Sequence, residues 1–193
     1  MILTLVRRLW QALRCAPTLR SRGGLFDARY YRSASPGAVA RLFPYLHFML
    51  AGAFAGRRPH PLFDTAFYLR RYPDVAASRV NPLCHYLHHG AEERRKPHPL
   101  FQPAHYLSQC QAARGSGANP LLHFLAAGAH AENPHPLFDC AAYLRANPGA
   151  RDMNPLVHYV LCGRTSAPLE GGQFAIPSAA SPLCDSYSCT TTS

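Results

Sequence analysis

The chain has 193 residues, of which 48% are hydrophobic and only 16% charged, and a formal net charge of +10. Residues 1–58 hold ten arginines against one acid, Asp27, so the rest of the chain is close to neutral. That distribution excludes a basic groove running along the whole molecule, as a nucleic-acid binder would need, and isolates a basic head suited to phosphates, acidic lipids or an acidic protein.

The head, residues 1–24, opens "MILTLVRRLWQALRC" and places Ile2, Leu5, Val6, Leu9 and Leu13 on one helical face, with Arg7, Arg8 and Arg14 around the rest. Its apolar run before Arg7 is too short for a membrane span or a signal-peptide core. The pattern predicts an amphipathic helix that buries its apolar face on the following element and shields its open end. The alternative is a peripheral contact of residues 1–20 with an anionic membrane.

From Leu25 the chain repeats itself. Phe26, Phe63, Phe101 and Phe138 are spaced by 37, 38 and 37 residues, and His47, His85, His123 and His158 are each followed five residues later by glycine, at Gly52, Gly90, Gly128 and Gly163. Four copies follow from this, with bounds 25–61, 62–99, 100–136 and 137–170. No alternating Val/Ile/Thr run argues for a strand. The expectation is all-α: one elongated or curled unit of four two-helix repeats, each helix too short to persist without its neighbours.

The second copy, "LFDTAFYLRRYPDVAASRVNPLCHYLHHGAEERRKPHP", sets the template. Asp64 is placed to cap a first helix, as are Asp27 and Asp139 in their copies, while Gln102 replaces the aspartate in the third. "YPD" then stops or turns the chain, because Pro73 disfavours helical geometry at Tyr72. The second helix is bracketed by Asn81 as N-cap, Pro82 in the first turn and Gly90 just past its end, where a left-handed residue is wanted. Asn119, Pro120 and Gly128, then Asn154, Pro155 and Gly163, repeat that bracket. In the first copy Phe43 stands where the asparagine belongs. "PHP" at Pro97–Pro99 reads as an extended joint.

Cys84, His85, His88, His89 and His98 crowd together like a metal site. His85, however, recurs in every copy, and His85 with His89 offers only two ligands on one face, short of the three or four a zinc ion requires. The recurring histidines are therefore read as structural, bonding the backbone of a neighbouring copy. The recurring aspartates are read as caps rather than acids or bases. No P-loop, G-x-S-x-G or dinucleotide fingerprint occurs, so no catalytic, cofactor or metal residue is assigned. The F-x4-Y pairs (Phe63/Tyr68, Phe101/Tyr106, Phe138/Tyr143) fit a core. Seven cysteines without a C-x-x-C pair suit reduced thiols. The Ser/Thr-rich tail, 171–193, reads as disordered, and its Cys184 and Cys189 pair only in an oxidising compartment.

"YPDVAA", "NPLCHYLHHGAEE" and "PHPLF" together resemble a short bacterial helical repeat found appended, often in several copies, to glycosyltransferases of cell-surface polysaccharide synthesis. The resemblance implies a non-catalytic companion of a separate transferase domain, cytoplasmic and at most peripheral to the inner membrane. Its partner would be a protein, such as that transferase domain. The chain departs from the pattern after Gly163, where no nucleotide-sugar domain and no D-x-D motif follow. Two other readings remain open at this point: the front of a transferase whose catalytic domain lies elsewhere, and a membrane-peripheral basic adaptor.

Overall fold

The computed structural model describes residues 6, 8–10, 12–15, 24–127 and 132–162. Gly128, Gly163 and the tail from 171 onward lie outside the described residues. Among the described residues the fold is all-α, with no β-strand and only two isolated bridges, His60 to Phe63 and His135 to Phe138. The chain divides into two compact units between Pro99 and Leu100, where a single unit was expected.

In the first unit, a head helix covers the described positions 6–15. It is followed by α1 (Ala28–Ala34), α2 (Ala38–Leu42) and α3 (Pro44–His47), the last running into a π-helical turn, Phe48–Gly52. The order then recurs as α4 (Thr65–Arg71), α5 (Pro73–Ser78) and α6 (Pro82–His85), again with a π turn, Tyr86–Gly90. The second unit contains α7 (Pro103–Gln109), α8 (Gln111–Ser116), α9 (Pro120–Ala127), α10 (Cys140–Ala146), a 3-10 turn (Pro148–Ala150) and α11 (Pro155–Cys162).

Each stretch thus holds three short helical pieces instead of two. In the second and fourth stretches proline explains the extra piece, whereas in the third α8 begins at Gln111 after Cys110 with no proline at the joint. Pro73 forces Tyr72 out of helical geometry, to φ −126° and ψ 82°, and so ends α4. Its own fixed φ and missing N–H then suit the first position of a new helix, so the stop is at once a start. Asn147 before Pro148 repeats the device, at φ −129° and ψ 76°.

Local caps set the remaining boundaries. The carboxylates of Asp27, Asp64 and Asp139 accept from the N–H groups of Tyr30, Phe67 and Ala142 at 2.9, 2.9 and 2.8 Å. Gln102, one methylene longer, makes no such bond. The cap residue's own N–H donates to the first proline of the "PHP" segment: Asp27 to Pro59, Asp64 to Pro97 and Gln102 to Pro134. "PHP" therefore closes each of the first three stretches back on its beginning, beyond serving as a joint.

The core of each stretch is a trio of rings. Phe63, Tyr68 and Tyr86 lie with centroids 5.4–6.0 Å apart, and Phe101, Tyr106 and Phe124 lie 5.3–5.7 Å apart. Phe26, Tyr31 and Phe48 form the first trio and Phe138, Tyr143 and Tyr159 the fourth. Edge-on contacts recur in every trio, the geometry that ring quadrupoles favour. Burial of these rings supplies the apolar drive that helices of four to eight residues cannot supply themselves.

Candidate functional site

The recurring histidines all do one thing. The Nδ1 atoms of His47, His85, His123 and His158 share hydrogen bonds with the phenol oxygens of Tyr31, Tyr68, Tyr106 and Tyr143, at 2.7, 3.1, 2.8 and 2.7 Å. Each bond stays within its own stretch. This corrects the expectation that these histidines reach a neighbouring copy's backbone: the tyrosine 15 to 17 residues earlier, rising from the stretch's first helix, meets the imidazole first.

The four tyrosines are buried and the four histidines half-buried. Desolvation raises the pKa of Tyr31, Tyr68 and Tyr106 and lowers that of His85 and His158. Both effects favour neutral partners, with a phenol donating to an unprotonated Nδ1. The dyad ties the first helix of a stretch to its third.

The glycine that follows has a role different from the one expected. Gly52 and Gly90 lie inside the π turns, and neither has a positive φ. A Cβ on Gly52 would stand 2.0 Å from Tyr31 Oη, and one on Gly90 would stand 2.3 Å from Tyr68 Oη. Glycine is required because the phenol of the dyad lies against the backbone there. The left-handed residues of the second stretch lie elsewhere, at Arg79 (φ 55°) after α5 and at Arg94 (φ 53°) beyond the π turn.

The asparagines carry two duties. The side-chain oxygens of Asn81, Asn119 and Asn154 each accept from two N–H groups at the starts of α6, α9 and α11, at 3.0–3.4 Å. Behind them Pro82, Pro120 and Pro155 occupy the first helical position. The amide nitrogen faces the other way. Asn154 Nδ2 donates to the Phe124 carbonyl at 3.0 Å, and Asn81 Nδ2 lies 3.5 Å from Met49 Sδ. Asn81 and Asn154 therefore bridge successive stretches, the amide oxygen accepting for the cap while the amide nitrogen reaches across the seam.

Phe43 occupies the first stretch's asparagine position and caps nothing. It is 61% exposed and Leu46 is 43% exposed, whereas Asn81 and Cys84, at the same places one copy later, are 0% and 3% exposed. Phe43, Leu46, Phe26, Pro44 and Tyr45 line an open hollow of about 400 Å³. Val39 and Leu42 are exposed as well.

The head helix docks on this unit, but with the face opposite to the expected one. Arg8 Nη1 donates to the Leu50 carbonyl at 2.6 Å and its guanidinium lies 3.8 Å from the centre of the Phe54 ring. Tyr45 Oη donates to the Ala12 carbonyl at 2.5 Å. Ala12 and Cys15 are buried, while Val6, Leu9, Trp10 and Leu13 point outward. The small and basic side won the contact because a guanidinium can satisfy a π-turn carbonyl that a leucine cannot.

Cys15 meets the second stretch: its Sγ lies 3.5 Å from His88 Nε2 and shares a hydrogen bond with the Cys84 thiol. The bond from Cys84 and the nearby imidazole draw Cys15 toward thiolate and leave Cys84 firmly protonated. His85 and His89, their rings 5.7 Å apart, have no third ligand, and no group of three or more metal-ligating side chains occurs among the described residues. His98 is buried away from solvent and, like His60, held neutral by that burial.

Sequence reading missed the tyrosine partners, though a signal was there: each tyrosine precedes its histidine by 15 to 17 residues in all four copies. Comparisons of the chain with protein-family models, with curated proteins and with solved structures each return no match.

Proposed function

We propose that this protein is a non-catalytic helical-repeat module of four copies, which binds a protein partner in the bacterial machinery that builds surface glycans. The observation that carries the non-catalytic part is the fourfold Tyr–His bond. The groups that would serve acid–base chemistry are spent, one set per copy, on closing each copy's own helices. Their neighbours, the cap aspartates and seam asparagines, are likewise occupied by backbone.

What remains open is the edge at Phe43. In the second copy the matching positions are covered, by Met49 and by the head's Cys15. In the first copy they present Phe43 and Leu46, with Val39 and Leu42 exposed just before them in the chain. A partner helix laid there continues the stack that the asparagines build elsewhere. The link to glycan assembly rests on the resemblance of the repeat to those appended to glycosyltransferases.

The test is co-expression with the surface-polysaccharide glycosyltransferases of the source organism, followed by size-exclusion chromatography with light scattering. A stable complex that Phe43→Glu abolishes is the expected result. Absence of any complex, or transfer of a sugar by the purified chain alone, overturns the reading.

A further inference from the structure

We propose that the outward face of the head helix lies in the interface of an anionic lipid bilayer. The inference goes beyond the partner reading and does not depend on it, because it uses a different face of the first unit.

The helix has two sides with separate tasks. At about 100° per residue, Val6, Leu9, Trp10 and Leu13 fall within an arc of roughly 100°, while Arg8, Ala12 and Cys15 fall on the opposite side. The second set is anchored: Arg8 to the Leu50 carbonyl and the Phe54 ring, Ala12 to Tyr45, and Cys15 to His88. The helix is therefore held in place with its apolar arc turned away from the protein. Those four side chains are 47%, 39%, 65% and 73% exposed. An apolar helix face that is fixed outward asks for an apolar medium.

Charge selects the medium. Arg14 is exposed beside the apolar arc, and residues 1–58 carry ten arginines against one acid. A second copy of the chain would bring the same positive charge to the contact and be repelled, whereas acidic lipid headgroups attract it. Leucines below a tryptophan and flanking arginines are the composition of a helix lying in the headgroup plane, where an indole is at home. No helix among the described residues is long and apolar enough to cross a bilayer, so the contact is one of lying on the surface. Apolar insertion and basic attraction together supply the two signals that stable but reversible attachment needs.

Trp10 is the chain's one tryptophan, which makes its fluorescence a direct report of this face. The full-length protein is titrated with vesicles of phosphatidylglycerol and phosphatidylcholine, and with vesicles of phosphatidylcholine alone, at low and high salt. The expected result is a blue shift and co-flotation with the anionic vesicles only, weakened by salt. Leu9→Ser with Leu13→Ser weakens binding on the order of tenfold or more, and Arg14→Gln about five-fold, with melting temperatures unchanged. The proposal is overturned by the absence of a shift and of flotation, by binding that the Leu9/Leu13 changes leave intact, or by a lipid-free blue shift that rises with protein concentration and assigns the face to a second copy.

Discussion

A methyl group on Gly90 would lie 2.3 Å from the phenolic oxygen of Tyr68, the same oxygen that bonds His85. The glycine, the tyrosine and the histidine are one packing unit, and the space for the phenol exists only because the backbone of the π turn is bare.

Gly90→Ala is therefore expected to destabilise the protein by about 1–3 kcal/mol, the usual range for overpacking. Adding Tyr68→Phe, which removes the crowded oxygen, should return part of that loss. Gly115, inside α8 with open space around it, is the control: Gly115→Ala should be neutral or slightly stabilising. Urea melts of the three variants decide, and an unchanged midpoint for Gly90→Ala removes the steric role.

Acid should unfold the protein through its buried imidazoles. Burial holds His60 and His98 down to about 4, below the ordinary value of 6.5, and also lowers His85 and His158. A depressed histidine pKa means that the unfolded chain takes up protons first, so stability is full at neutral pH and falls as pH drops from 6.5 toward 4. The loss is on the order of 3 kcal/mol for each of His60 and His98. His60 Nδ1 accepts from the Leu62 N–H, a bond an asparagine oxygen can reproduce without titrating. His60→Asn should make the acid limb shallower in melts taken across that range; an unchanged slope would show that His60 does not drive it.

Asn154→Asp separates capping from bridging. The aspartate keeps the acceptor for Leu156 and Val157 but replaces the donor to the Phe124 carbonyl with a second oxygen. A buried charge facing a carbonyl is expected to lower stability by roughly 1–3 kcal/mol, despite an intact cap. Should Asn154→Asp melt like the parent while Asn154→Ala does not, the seam bond contributes nothing.

The head can be released without deleting it. Arg8→Ala with Tyr45→Phe removes the bonds to Leu50 and Ala12 and the stacking on Phe54. Cys84, now 3% exposed beneath Cys15, should then react faster with a maleimide, as followed by peptide mass spectrometry. Labelling at the parent rate would mean that other contacts hold the head.

Much of this protein could be read from its letters because the bonds concerned are short in sequence. Asp64 reaches Phe67 and Asn81 reaches Cys84, three residues on, and Pro82 acts through its own ring, so caps and helix starts are written within one turn. Even Pro73, which ends one helix and begins the next, is a local effect, although its second half needs the following turn to close. The rest was decided by tertiary packing. The Tyr68–His85 bond spans 17 residues, the contact that makes Gly90 necessary spans 22, and the Asn154–Phe124 bond spans 30. The outward turn of Val6, Leu9, Trp10 and Leu13 depends on carbonyls and rings some forty residues away, at Leu50 and Phe54. Hydrophobic periodicity says which side of a helix is apolar; which side faces the protein is set by the unsatisfied groups it meets, and these exist only once the π turn has formed.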